Sequence, residues 1–267
     1  MHITITGNLG SGKSTICRIL SEKYNFEIYS TGKVQREIAR QMNMSTLELN
    51  QLMCSDPGYD HMIDDATAKI SRENRDKDII FDSRLAWHFV EHSFKVFVCV
   101  SLEVAAERVI HDKRGAEEKY TSLEEAKKLL AERAATEKVR YKDIYNLNYM
   151  DFSNYDLIID STYCMPDTIA EVILTEAREY EKTGTHPAKT RMLVSPRRLI
   201  KASEVSKEDE EKLKEMILAY SKYSYAIDTM IKVTKPDDDY EVLEGMDEVK
   251  AAYLSDICYV PVETIQA

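Results

Sequence analysis

The sequence predicts an α/β fold, with a parallel sheet flanked by helices over residues 1–180 and a small α+β unit over 192–267. Three observations predict it. Short β-branched or apolar runs alternate with helical periodicities through the first two thirds of the chain. A glycine-rich loop separates the first such run from the first helical pattern. Residues 181–191, which contain Thr183-Gly184-Thr185-His186-Pro187, interrupt the pattern as a linker would.

The elements follow in order. His2 to Thr6 alternates polar and β-branched residues as a buried strand does, and it runs into Gly7-Asn8-Leu9-Gly10-Ser11-Gly12-Lys13-Ser14. Ile16, Ile19 and Leu20 come next at i, i+3, i+4 spacing, one face of a helix. Further strands are expected at Glu27 to Tyr29, Asp78 to Asp82, Lys95 to Val100 and Asp156 to Asp160. Residues 30–75 are too long for a simple crossover and read as an insertion of short helices, broken near Met44-Ser45 and Asp56-Pro57-Gly58. A long helix is expected from Ser122 to about Tyr145, because Ser122 can cap it and Glu125 stands at the capping-box position. After the linker, a helical run at Lys207 to Lys222 and strand-like runs at Ile231 to Val233, Tyr240 to Leu243 and Tyr259 to Ile265 make up the last unit.

Composition narrows the function. With 43% hydrophobic and 31% charged residues, the 267-residue chain has the makings of a globular core. Its longest clear apolar run, Val96 to Val100, is far short of the ~20 residues that span a bilayer. No signal peptide is visible, so the expected location is cytoplasmic. The cysteines Cys17, Cys54, Cys99, Cys164 and Cys258 are odd in number and lack C-x-x-C spacing, which argues against a disulfide framework or a zinc site. A formal charge of −11 disfavours nucleic acid and anionic membranes as partners. Charge is uneven, however, with a net +3 over Arg108 to Lys142 and −6 over Met192 to Ala267. A small anion bound near the basic segment is the expected partner.

Gly7-x-x-x-x-Gly12-Lys13-Ser14, between a strand and a helix, is the P-loop pattern. Glycines let successive backbone N–H groups turn around phosphate oxygens, and the helix presents its positive end to the same anion. Gly7, Asn8, Gly10, Ser11, Gly12, Lys13, Ser14 and Thr15 are the candidate ATP-binding residues. Lys13 is expected to neutralise the β- and γ-phosphates, and Ser14 to offer a hydroxyl to Mg²⁺. Asp82, closing Ile79-Ile80-Phe81-Asp82, is the candidate second metal ligand; the plain alternative is a strand-end acid facing solvent.

Ser30-Thr31-Gly32-Lys33-x-x-Arg36, Asp82-Ser83-Arg84-Leu85-Ala86, Arg133-x-x-x-Glu137-x-x-Arg140-Tyr141 and Tyr155-Asp156-Leu157-Ile158-Ile159 together resemble the nucleoside monophosphate kinases, the cytidylate kinases most closely, over Met1 to Tyr180. The resemblance implies a five-stranded parallel core, an NMP-binding insertion (30–75), a mobile lid (112–150), and transfer of the ATP γ-phosphoryl group to CMP or dCMP with Mg²⁺. It implies that Ser30, Arg36 and Arg84 bind the acceptor monophosphate and that Arg133 and Arg140 reach the transferring group. Helix geometry agrees: Arg133, Glu137 and Arg140 share one face, the two arginines about 10 Å apart along the axis at ~1.5 Å per residue. An exposed helix with Arg/Glu pairs is the alternative. Arg108 and Arg114 are weaker versions of the same idea. Lys33 stands where many family members carry an acid that helps hold hydrated magnesium. Asp60, Asp64 and Asp65 are candidates for reading a cytosine amino group, or else a solvated helix start.

The tail, from Pro196 to Ile265, resembles ParB/sulfiredoxin-like domains in its order of elements, with Asp247 and Glu248 where that family carries phosphate-binding arginines. A dimerising or regulatory module, contacting a second copy or a protein partner, is the reading for it. Two rival functions stay open: a kinase of a nucleoside or small hydroxylated metabolite, and a nucleotide-sensing module with little turnover.

Overall fold

The computed structural model describes residues 1–44, 48–49, 52–53, 56, 58–111, 120–236 and 238–265; the Arg36 side chain lies outside that set. Its centre is a parallel sheet. Strand β1 (His2–Gly7) is buried along its whole length and lies between β3 (Ile79–Asp82) and β4 (Ser93–Cys99). Strand β2 (Glu27–Ser30) extends the sheet beyond β3, and β5 (Leu157–Asp160) extends it beyond β4. The order β2-β3-β1-β4-β5 is the expected five-stranded core. Strands β3, β4 and β5 read as short, mostly apolar runs, as buried parallel strands do, whereas β1 is marked by its β-branched residues before the glycine loop.

Helices α1 (Lys13–Tyr24), α2 (Thr31–Gln41) and α3 (Gly58–Glu73) are followed by the short α4 (Ala86–Phe89), α5 (Leu102–His111), α6 (Leu123–Tyr145) and α7 (Pro166–Thr183). Ser122 does cap α6, its Oγ accepting from Glu125 N–H at 3.1 Å. The reciprocal half of the capping box is displaced by one residue: the Glu125 carboxylate accepts from Thr121 N–H at 2.6 Å instead of from Ser122. Residues 112–119, at the expected start of the lid and including Arg114, lie outside the described residues, as does Cys54.

The tail departs from the expectation of a separate unit behind a linker. Helix α7 continues through Thr183 and stops at Gly184, which has φ 63° and donates its N–H to Tyr180 C=O at 2.8 Å. Seven residues on, a strand absent from the sequence reading, β6 (Arg191–Val194), pairs parallel with β5. β9 (Val260–Thr264) then pairs antiparallel with β6, β7 (Ile231–Thr234) lies beside β9, and β8 (Glu241–Glu244) forms the edge of one nine-stranded sheet. The helical run expected at 207–222 is two short helices, α9 (Lys207–Lys212) and α10 (Lys214–Tyr220), hinged at the buried Leu213. Two further helices, α8 (Pro196–Leu199) and α11 (Met246–Leu254), complete the tail. One apolar cluster joins Phe97 and Ile158 of the parallel core to Met192, Val194, Ile231 and Val260 of the tail. Tyr259 is fully buried, and its hydroxyl donates to Asp160 C=O at 2.9 Å. Full burial of side chains of this size is worth ~1.5–3 kcal/mol each, so the tail is part of the core.

Candidate active site

The C-terminal ends of β1, β3 and β5 open into a cavity of about 660 Å³. The glycine loop is shaped by contact as much as by backbone freedom. A Cβ on Gly7 would lie 2.1 Å from Val98 O, and one on Gly10, where φ is +73°, 2.7 Å from Ala105 O. Only hydrogen fits at either place. Gly10, Ser11, Gly12, Lys13, Ser14 and Thr15 line the cavity. Asn8 instead turns its side chain to β4, its Oδ1 accepting from Val100 N–H at 3.3 Å, and so shapes the loop from behind.

Lys13 folds over the loop: Nζ donates to Gly7 O at 3.0 Å and to Asn8 O at 2.6 Å. Burial, and then the nearby Arg84 charge, pull its ammonium down to about 7, against the pull of Asp82 and Glu137. A bound polyphosphate would reverse that balance. Asp82, at the end of β3, accepts from Ser30 Oγ at 3.2 Å, and both line the cavity with Ser14. One hydroxyl and one carboxylate form an oxygen-only donor set suited to Mg²⁺, which keeps several waters and takes its remaining ligands from phosphate.

The arginines converge on the same space. Arg84 donates through Nε to Glu137 Oε2 at 2.8 Å and through a second nitrogen to Gly7 O, placing it against the phosphate loop. Arg133 Nε donates to Glu137 Oε1 at 3.2 Å, so one carboxylate spaces two guanidinium groups. Burial opposes ionisation of Glu137, yet Arg84 and Arg133 hold its carboxyl below the usual range. Arg140 lies 3.6 Å from Asp60 Oδ1 and 3.1 Å from the Tyr141 hydroxyl. Asp60 Oδ2 and Arg140 Nε are buried without a hydrogen-bond partner, polar groups a ligand could satisfy. Of the expected site residues, Ser30, Asp82, Arg84, Arg133 and Arg140 meet the loop at this cavity, whereas the Arg36 side chain lies outside the described residues.

Three features escaped the sequence reading. The loop after β5, Ser161 to Pro166, forms one wall of the cavity and carries no motif that would announce it. Arg108, read as a weak candidate, donates to Gly10 O at 3.4 Å, Ser161 Oγ at 3.2 Å and Ser161 O at 2.6 Å, tying that wall to the phosphate loop. The sequence places Glu137 only on the same helix face as Arg133 and Arg140; its position between Arg84 and Arg133 is a tertiary fact. Lys33 is exposed on α2.

A strand, glycine loop and helix with arginines gathered over them define a P-loop kinase architecture. The model of the cytidylate kinase-like family matches residues 2–163, and the chain belongs to that family. A cytidylate kinase of Methanoregula boonei is 30% identical over 184 residues, covering 97% of that protein and 68% of this chain. Those of Methanocorpusculum labreanum and Methanosarcina mazei are 38% and 37% identical, each covering 87% of the relative and 60% of this chain. Among solved structures, shikimate kinase from Aquifex aeolicus aligns with a TM-score of 0.44 at 20% identity, over 69% of this chain and 100% of that one. The tail from β6 onward lies beyond the family match, and nothing in these comparisons supports the ParB/sulfiredoxin likeness.

Proposed function

We propose that this protein transfers the γ-phosphoryl group of ATP to CMP or dCMP. The observation that carries the reading is the meeting of Lys13, Arg84, Arg133 and Arg140 at one cavity beside the glycine loop, with Arg84 and Arg140 largely buried, a concentration of cations suited to bound phosphates. Loop amides and Lys13 hold the donor's terminal phosphates. Arg84, spaced by Glu137, takes the acceptor phosphate, and Arg133 and Arg140 stand where charge spreads over the transferring oxygens. Ser14 and Asp82 are the residues that would hold Mg²⁺, which would supply charge neutralisation for the donor phosphates. Asp60 and Asp64, buried on one face of α3 beside the cavity, are acceptors placed to read an exocyclic amino group. Phosphoryl transfer asks for position and charge rather than a protein nucleophile, and none is invoked here.

A coupled assay of ADP release with CMP, dCMP, UMP, AMP and cytidine tests this. CMP or dCMP is expected to give the highest kcat/KM, cytidine none, and Lys13→Ala a loss of at least ~10³-fold. Absence of acceptor-dependent ADP with every monophosphate would refute the kinase reading; turnover of cytidine would place the acceptor wrongly.

A further inference from the structure

Two polar contacts, besides the shared sheet, run from the tail to the donor end of the cavity. Arg198, on the single turn α8, has only 6% of its side chain exposed, and its guanidinium donates to Thr162 Oγ1 at 3.1 Å. The same guanidinium donates to Asp238 C=O and lies over the Tyr240 ring at 5.3 Å, so it is fixed from the tail side. Thr162 Oγ1 also donates to Asp160 Oδ1 at 2.6 Å and accepts from Ser101 N–H at 3.1 Å. A hydroxyl has one proton and two lone pairs, so this one is saturated, with its direction set. The second contact is Asp238 Oδ2, which accepts from Leu102 N–H at 2.8 Å, a donor in the first turn of α5 that has no partner within the helix.

Helix α5 leads to Arg108, whose guanidinium joins Gly10 O of the phosphate loop to Ser161 and Thr162. The path is continuous. Asp238 holds the start of α5, Arg198 holds the 160–162 wall, and Arg108 connects both to the glycine turn. Thr162, Ser161, Arg108 and Gly10 all line the cavity, while Arg198 and Asp238 stand outside it. Both belong to the part of the chain beyond the family match.

We infer that Arg198 and Asp238 are positioning residues for the phosphate donor: the tail sets the spacing between the phosphate loop and the post-β5 wall, and with it the affinity for ATP. The inference rests on reading this cavity as the ATP site. It predicts an effect on one substrate and not the other, because Arg84 and Asp60 on the acceptor side take no hydrogen bond or ion pair from the tail among the described residues.

The full-length chain is titrated with a fluorescent ATP analogue in Mg²⁺ buffer, alongside steady-state kinetics with CMP. Asp238→Ala, at a half-exposed position that tolerates truncation, and Arg198→Ala are each expected to weaken analogue binding about five- to twentyfold. The KM for ATP rises by the same factor, and the KM for CMP stays within about twofold of wild type. Thr162→Val removes the shared hydroxyl, and added to Arg198→Ala it worsens binding by less than about twofold over the weaker single variant. Equal rises in both KM values overturn the inference, as do unchanged binding in Asp238→Ala or fully multiplicative losses in the double variant. A wild-type chain that binds the analogue yet shows no CMP-dependent ADP release defeats the kinase reading instead, and the variants' affinities still decide the role of the tail.

Discussion

Asp64 is a carboxylate buried at the cavity wall. It is 7% exposed, takes the Tyr145 hydroxyl on Oδ2 at 2.6 Å, and has the buried Asp60 one turn away. Burial pushes it up from 3.8 to about 6, with the Asp60 charge adding to the shift and the Tyr145 hydrogen bond opposing it. The sign for stability follows. Between about pH 4 and 6 the folded chain keeps a proton that the unfolded chain has released, so stability rises as pH falls through 6 and levels off near 4. At ~1.4 kcal/mol per pKa unit the gain is at most about 3 kcal/mol. Urea unfolding should therefore show wild type gaining about 1–1.5 kcal/mol from pH 7 to 5 relative to Asp64→Asn, which does not titrate. Parallel pH profiles for the two proteins would locate the titration elsewhere. The sequence singled out Asp60, Asp64 and Asp65 as a trio. Their spacing already separates them, since positions four apart share a helix face; the structure buries Asp60 and Asp64 and leaves Asp65 exposed.

Helix α6 shows at the scale of an element what periodicity can and cannot reveal. Its extent and its Ser122 cap were readable, and so was the common face of Arg133, Glu137 and Arg140, because all of these are local. The partners were not. Glu137 meets Arg84 across 53 positions of chain, and Arg140 meets Asp60 across 80, distances over which no local pattern carries information. The pairing gives Glu137 a task. With side-chain exposures of 14% for Glu137 and 16% for Arg84, the pair is shielded enough for charge and geometry to count. Glu137→Gln keeps the shape and removes the charge that spaces two guanidinium groups. It should lower kcat with CMP about ten- to hundredfold, because arginines displaced by even 1 Å no longer meet the transferring oxygens. It should also cost about 2–3 kcal/mol of stability. Steady-state kinetics and thermal melts check both; an unchanged kcat would mean that the arginines are positioned by something other than this carboxylate.

On the scale of the whole molecule, the parallel core was legible and the union of core with tail was not. Four-residue β6, Arg191–Val194, does not announce itself because the glycine and proline just before it look like a linker. Short strands draw their stability from neighbours, and here the neighbours are β5, contiguous core, and β9, which arrives from near the other end of the chain. The consequence can be tested by removing the tail. The cytidylate kinase of M. boonei is matched over 97% of its length by only 68% of this chain. In this chain, deleting residues 191–267 is expected to leave β5 as an unpaired edge and to uncover Phe97, Ile158 and Tyr155, all buried in the cluster the tail completes. Three such side chains exposed at ~1.5–3 kcal/mol each approach the whole stability of an ordinary domain. Residues 1–190 expressed alone should therefore aggregate, or bind a hydrophobic dye and melt well below the full chain in circular dichroism. A soluble fragment with an undiminished melting temperature would show that the sheet closes without its last four strands and that the tail is an appendage after all.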